Sequence, residues 1–331
     1  MGKILGNKER IQKAFRNEPV DRVPVGFWFH FLTGGNDMNG ALKEPELRRK
    51  NYEGHKNYIT KFKPDFVKVM SDGYFSYPVG AGERYDSPAD LKKITVIGAN
   101  EPWVAEQVAL AKDVLALQED TSYFYNSFSP ISNLLYIIGK ESFAKILKQD
   151  PDAVADALHT IADGLLVLAK ALIEAGIDGI YFSVSNPAPD VVTSELYRKI
   201  VAPAENYFLQ KAKELGGSQI LHICGYNGKK NDLSLYVDYD ADAINWAVNV
   251  ENVSLSAGKK LFGGKAVIGG FANPGGSLIQ TGAKEAIQDF TQKLLADAGK
   301  VGVVVGADCT VPSDTDLSHL EWVREAAAAA L

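Results

Sequence analysis

Three side chains in this sequence are of the types that together hold a transition metal. His222 and Cys224 stand two residues apart in Gln219-Ile220-Leu221-His222-Ile223-Cys224-Gly225. That stretch reads as a strand, so both side chains point to the same face. Cys309 follows a second apolar run, Val303-Val304-Val305-Gly306-Ala307-Asp308. Soft thiolate combined with borderline imidazole selects Zn²⁺ over Mg²⁺ or Ca²⁺. Three protein ligands leave the fourth tetrahedral position open, the pattern of a catalytic rather than a structural site. The alternative is that each cysteine is a small buried hydrophobe at a strand end and His222 a satisfied core histidine. H-x-C on a strand does not by itself decide between the two. In favour of the metal, the only two cysteines of the chain both fall at expected C-terminal strand ends, one of them beside a same-face histidine.

Bringing residue 309 to residues 222–224 requires a particular kind of fold. Short β-branched runs alternate along the chain with longer stretches of helical period. The strand candidates are Val23–Phe29, Phe66–Met70, Ser122–Tyr125, Ile180–Val184, Gln219–Ile223, Ala243–Val248, Ala266–Phe271 and Val301–Val305. Most are continuous and apolar, as parallel strands covered on both faces must be. The clearest helix begins with Asp150 as N-cap and Pro151 in the first turn. Val154, Leu158, Ile161, Leu165, Leu168 and Leu172 then form one apolar stripe, and Gly176 ends it. Further helices are expected over Ser194–Leu215, Ala283–Ala298 and Leu317–Leu331. Eight strands with interleaved helices match a (β/α)8 TIM barrel, whose catalytic residues gather at the C-terminal strand ends. An open doubly wound sheet is the runner-up. No G-x-G-x-x-G follows the first strand, and the glycine-rich stretch Gly263–Gly276 reads as turns around a strand. No linker or low-complexity tract divides the chain, so residues 1–331 are expected to form a single barrel domain with an N-terminal helical extension.

The bulk composition agrees. The chain has 331 residues, 46% of them hydrophobic and 23% charged, too apolar for a disordered protein. Lys and Arg number 35 against 41 Asp and Glu, a net charge of −6, which argues against nucleic acid as a partner. No apolar run reaches the ~18–20 residues that cross a bilayer. The N-terminus does not read as a secretory signal. Two cysteines without a disulfide framework fit a reducing cytoplasm.

Several motifs resemble the uroporphyrinogen decarboxylase superfamily over nearly the whole length. They are Arg10-Ile-Gln-Lys-Ala-Phe-Arg16-Asn-Glu-Pro-Val-Asp21-Arg22-Val-Pro24-Val, Asp65-Phe-Val-Lys-Val-Met-Ser71-Asp72, Leu221-His-Ile-Cys-Gly225, Asp242-Ala-Ile-Asn-Trp246 and Gly270-Phe-Ala-Asn273-Pro274. The resemblance implies a (β/α)8 barrel. The family's decarboxylases carry an arginine-rich segment after the first strand, where this chain has Phe27-Trp-Phe-His30-Phe-Leu-Thr-Gly-Gly35. The branch that passes methyl groups from corrinoid proteins to thiols carries H-x-C and a distant cysteine, all on zinc. His222, Cys224 and Cys309 stand in those places, and Thr310-Val-Pro312-Ser-Asp-Thr315 also resembles that branch. Cobalamin-independent methionine synthase is similar in barrel and ligand set. The resemblance therefore implies Zn²⁺, a small thiol substrate activated as a zinc thiolate, and a methylated corrinoid supplied by a separate partner protein. Two other readings are a metal-free decarboxylase of a polycarboxylate and a non-catalytic zinc or tetrapyrrole carrier.

The remaining candidates are individually weaker. Asp72, past the second strand, and His30, ending the first, are candidate catalytic residues; Asp72 reads equally as a helix N-cap. Asn126, Asn186, Asn245 and Tyr74 are candidates for substrate contact, with turn formation the alternative for the asparagines. The aromatics Tyr74, Phe75, Tyr77, Tyr123, Phe124 and Tyr125 read as helix-to-strand packing, or else as an apolar wall for a corrin. His55, His159 and His319 fall on helices and are expected at the surface.

Overall fold

A computed structural model describes residues 4–34, 38–80, 83–185, 187 and 191–330. Among the described residues, seven strands run in chain order through one sheet: β1 (Phe66–Val69), β2 (Ser122–Phe128), β3 (Gly179–Val184), β4 (Ser218–Ile223), β5 (Ala243–Trp246), β6 (Ala266–Phe271) and β7 (Val303–Ala307). Every neighbouring pair is parallel. Helices pack outside them, as parallel crossovers require.

The eighth stave departs from expectation. Val23–Phe29 forms no ladder strand and makes a single parallel bridge, Val25 with Val305. It still closes the gap. Gly26 donates its N–H to Val305 O at 3.1 Å, Val305 donates to Pro24 O at 2.9 Å, and Asp65 donates to Val25 O at 3.2 Å. The ladder is sparse because its donors go elsewhere. Pro24 has no N–H. Val25 N–H is taken by Asp65 Oδ2 at 2.8 Å and Phe27 N–H by Tyr58 OH at 3.0 Å. Close approach also needs glycine, since a Cβ on Gly306 would lie 2.8 Å from Gly26 O. The closed (β/α)8 barrel is thus seven strands and one loosely bonded segment. Several boundaries shift as well, and the expected Ala243–Val248 strand stops at Trp246 because a short helix begins at Val248. β2 continues to Phe128, and β7 starts at Val303, because Gly302 holds a left-handed turn (φ 67°) before it.

Alternation divides the core in two. Trp28, Phe66, Phe124, Tyr181, Ile220, Ile268 and Val304 fill the barrel interior. Their neighbours Phe27, Val67, Tyr125, Phe182, Leu221, Val267 and Val305 face the helices. On the same inward period, one or two steps toward the C-terminal strand ends, stand His30, Lys68, Asn126, Ser183, His222, Cys224 and Asn245.

The long helix spans Pro151–Glu174, with Asp150 accepting from Ala153 N–H at 3.0 Å, and its apolar stripe is buried. The expected helix from Ser194 is helical but contains a π turn at Tyr197–Val201 before Ala202–Glu214. Beside that turn, the wholly buried Glu205 accepts from Tyr239 OH at 2.6 Å and Tyr197 OH at 2.8 Å. Burial raises its pKa to about 7, against these two hydrogen bonds. In the unfolded chain it titrates near ~4.3. The folded state therefore holds the extra proton between those values, and its contribution is lost as pH rises through about 7. Glu205→Gln is expected to remove about 3 kcal/mol of the fall in unfolding free energy between pH 4 and pH 8. Denaturant melts across that range measure it, and an unchanged slope contradicts it.

At the N-terminal end, Asp65 is buried with three contacts from two arginines converging on it. Arg10 Nη1 lies at 2.6 Å, Arg22 Nη1 at 2.6 Å and Arg22 Nη2 at 2.8 Å. Arg10 Nε also pairs with Asp21 at 2.7 Å. The arginines and aspartates of the N-terminal motif thus close the barrel floor. Among the described residues, no helix is long and apolar enough to cross a membrane.

Of the histidines expected at the surface, His55 is instead fully buried. Its Nδ1 donates to Asn51 O at 3.0 Å and its Nε2 accepts from Met70 N–H at 2.9 Å. Burial pushes its pKa down to about 4, which keeps it a neutral strut. His159 and His319 are half-buried, against Tyr207 and Trp322.

Candidate active site

Strand pairing delivers the site. The β3–β4–β5 register sets Ser183, His222 and Asn245 side by side. Cys224 leaves β4 with its N–H on Val184 O at 2.8 Å, and Cys309 leaves β7 just after Asp308 N–H bonds Phe271 O at 2.8 Å. Both loops therefore start at the same rim.

His222 Nε2 lies 3.6 Å from Cys309 Sγ, and the ligand atoms of His222, Cys224 and Cys309 all lie within 4.8 Å of one another. Tetrahedral bonds of ~2.3 Å to sulfur and ~2.0 Å to nitrogen place N and S about 3.5 Å apart. The donor set thus fits a zinc ion in both chemistry and spacing.

The imidazole is held from behind. Its Nδ1 pairs with Asn245 Oδ1, which also accepts from Tyr181 OH at 3.0 Å. Asn245 Nδ2 donates to Ile268 O at 2.8 Å and Ala307 O at 3.1 Å. With its amide nitrogen spent on two carbonyls, Asn245 offers His222 only an acceptor. The proton therefore sits on Nδ1, and the Nε2 lone pair faces the sulfurs. Gly269, in the left-handed region (φ 143°), allows this fit, because a Cβ there would come within 3.3 Å of Asn245 Nδ2. The Cys224 contact and the His222 imidazole hold the Cys309 thiol well below its ordinary value despite burial. The site is therefore built for a thiolate.

Asp72 is fully buried and is not a helix N-cap. Its Oδ1 bonds His30 Nδ1 at 2.8 Å, and its Oδ2 accepts from Phe31 N–H at 2.5 Å and Leu32 N–H at 3.0 Å. Burial lowers the His30 pKa, but the hydrogen bond and charge of Asp72 outweigh it, and the net direction is up. Asn126 donates to Ser71 Oγ at 2.8 Å and accepts from Ser183 Oγ at 3.1 Å, forming part of the inner wall. Tyr74 lines a small cavity with Ser71 and Asn126. It is buried, its charged neighbours are Glu106 and Arg48 on the outer helices, and its carbonyl accepts from Trp103 Nε1 at 3.0 Å. Asn186 lies outside the described residues. Of the other aromatics, Tyr77, Tyr123 and Tyr125 pack under the helices, Phe124 fills the barrel interior, and Phe75 meets His30 and Phe128 edge-on.

Lys68, Trp28 and Tyr181 were not singled out from the sequence. Lys68 stands inside the barrel on β1, its ammonium 4.1 Å from the Tyr181 ring centroid. Burial pushes its pKa down to about 8, opposed by the charges of Cys309, Cys224 and Asp72. The available signal was one cation inside an otherwise apolar strand, Phe66-Val-Lys-Val-Met70.

Comparison with known proteins places the chain in a family. Residues 75–330 match the model of the family described as "Uroporphyrinogen decarboxylase (URO-D)". The chain is similar to the methylcobamide:CoM methyltransferase MtbA of Methanosarcina mazei, 26% identical over 97% of both chains. A solved methyltransferase structure from Methanosarcina mazei superposes with a TM-score of 0.72 at 20% identity, covering 97% of this chain and 98% of that one. A B12-independent methionine synthase from Shewanella shares the fold with a TM-score of 0.58 at 14% identity, covering 92% of this chain and 97% of that one. The chain therefore belongs to the uroporphyrinogen decarboxylase (URO-D) family and sits with that family's methyltransferases.

Proposed function

We propose that this chain moves a methyl group from a methylated corrinoid, carried by a separate protein, to a small thiol bound at a zinc ion. His222, Cys224 and Cys309 would hold the ion. The reading rests above all on the 3.6 Å approach of His222 Nε2 to Cys309 Sγ with Cys224 close by. The donor and acceptor classes follow the methylcobamide:CoM methyltransferases to which the chain is similar. Zinc in such a set supplies Lewis acidity that favours the thiolate form of a thiol and so generates the nucleophile.

The protein's own groups do the rest. Asn245 fixes the His222 tautomer and ring plane. His30 sits at the rim with Nδ1 tied to Asp72, and its Nε2 takes up the proton that the acceptor thiol gives up. Asp72 acts through His30 and also fastens the Phe31–Leu32 backbone beneath it. Asn126, set between Ser71 and Ser183, forms a polar wall for the bound thiol.

The test is a methyl-transfer assay on the full chain with free methylcobalamin and mercaptoethanesulfonate, following loss of the methyl–cobalt absorbance and appearance of the methyl thioether. Activity is expected with zinc, is lost on chelation and returns on zinc addition. A chain that carries one zinc yet consumes no thiol in a series of small thiols would overturn the reading.

A further inference from the structure

The two sulfurs of the ligand set come together from strands that are not neighbours. Cys224 follows β4 and Cys309 follows β7, with β5 and β6 between them in the sheet. They are the only cysteines of the chain, and both are free thiols. Their sulfurs lie within 4.8 Å of each other. A disulfide is about 2.05 Å long, so less than about 3 Å remains to be closed. A change between staggered rotamers swings a cysteine sulfur by about 3 Å, which leaves the backbone where it is. That backbone is fixed at the rim: Cys224 N–H is on Val184 O at 2.8 Å, the Cys224 carbonyl accepts from Asn231 Nδ2 at 3.0 Å, and Val311 N–H holds the other loop to Trp28 O at 2.9 Å. The pair is also asymmetric. Cys309 is buried, at 7% exposed, whereas Cys224 is half-buried and is followed by Gly225 and by Tyr226, which is 65% exposed. A small solute at the rim therefore meets Cys224 first, with Cys309 in reach of it. An accessible thiol beside a second one gives a disulfide in preference to further oxidation of the first sulfur. Once the sulfurs are joined, His222 Nε2 is the one donor of the set that remains, too few to hold an ion.

We propose that Cys224 and Cys309 are also a modification site, at which a hydroperoxide joins them in a reversible disulfide that expels the zinc. The Cys224 thiolate attacks the outer oxygen of the hydroperoxide. The O–O bond breaks, the sulfur gives up two electrons, and the departing hydroxide or alkoxide takes up a proton. The Cys309 thiolate then attacks the sulfur of the Cys224 sulfenic acid. The S–S bond forms as the S–O bond breaks, and hydroxide leaves and is protonated to water. A dithiol reverses the step by exchange. The inference rests on the zinc reading above and adds to it a means by which peroxide switches the site off.

Hydrogen peroxide added to the full chain, zinc-loaded and after chelation, tests it by intact mass, thiol titration and zinc released to a chromogenic chelator. The chelated chain is expected to lose both thiols and about 2 Da, with peptide mapping finding Cys224 joined to Cys309 within one chain. In the loaded chain about one zinc should appear per disulfide formed, and dithiothreitol should restore both thiols and the capacity to bind the ion. Cys309→Ser removes the second sulfur, so its Cys224 should stop at the sulfenic acid and be trapped by dimedone. Oxygen added in steps of about 16 Da with no joined peptide overturns the inference and leaves the zinc reading standing. So does a loaded chain that keeps its zinc and both thiols under excess peroxide. A chain that takes up no zinc overturns the zinc reading instead. The chelated chain then decides the disulfide by itself: a joined peptide upholds it, and two intact thiols remove it.

Discussion

Cys309→Ser and His222→Ala are each expected to retain less than about a tenth of the zinc that the unaltered chain keeps through purification and dialysis. With only three protein ligands on the ion, losing one weakens retention by at least about a hundredfold. Elemental analysis of the purified variants reads this directly. Asn245→Ala should produce a graded version of the same defect. It leaves all three ligands in place but removes the acceptor for Nδ1, so the imidazole is free to rotate and to change tautomer. The expected loss of affinity is about 10–100-fold, seen in competition with a chromogenic chelator. Asn245→Asp keeps an acceptor for His222 but sets oxygen against the carbonyls of Ile268 and Ala307, which Asn245 Nδ2 now satisfies. It should hold zinc better than Asn245→Ala while melting lower than the unaltered chain. One equivalent of zinc in Cys309→Ser, or affinity unchanged in Asn245→Ala, would remove the basis for the proposed chemistry.

The largest loss of stability is expected at the opposite end of the barrel. Asp65→Ala leaves the Arg10 and Arg22 guanidiniums without their shared carboxylate and the Val25 N–H without an acceptor. Breaking a buried ion pair from one side costs about 3–5 kcal/mol, because the remaining charge stays desolvated. For a chain of this size that corresponds to a melting temperature lower by roughly 4–7 °C. Asp65→Asn, which keeps an acceptor oxygen, should lie between. Because Asp65 also pins the Val23–Phe29 segment, hydrogen exchange at Val25, Gly26 and Val305 should rise in Asp65→Ala ahead of exchange elsewhere in the sheet. The ligand set stands at the other rim, so the folded variant should still bind about one zinc per chain. A loss below about 1 kcal/mol would mean that the network is replaceable by solvent.

The two predictions concern opposite ends of one barrel, and the ends differ in how plainly the sequence announced them. His222 and Cys224 could be paired from the sequence because strand alternation is local: two residues apart on any strand means one face. The Asp150 cap, the stripe from Val154 to Leu172 and the stop at Gly176 are local in the same sense. The βα alternation narrowed the fold to a barrel or an open doubly wound sheet, since parallel strands buried on both faces have few other architectures open to them. The Val23–Phe29 stave was legible as apolar and extended. Its sparse bonding was not, because that depends on Asp65 and Tyr58 capturing its donors from other elements.

What tertiary structure alone decided is where polar side chains spend their hydrogen bonds. The sequence marked Asn245 as a polar residue at a strand end. Only the closed barrel brings the carbonyls of Ile268 and Ala307 to its amide and turns its oxygen toward His222. Asp72 could equally have been a helix cap until the loop at Phe31–Leu32 came to lie over it. Lys68 looked like one charge in an apolar run, and its place over the rings of Tyr181 and Trp28 appeared only in the closed barrel. Periodicity is a property of neighbouring residues and is carried by the chain itself. Satisfaction of a buried polar group depends on residues that are remote in sequence, and it exists only once the last stave has closed the barrel.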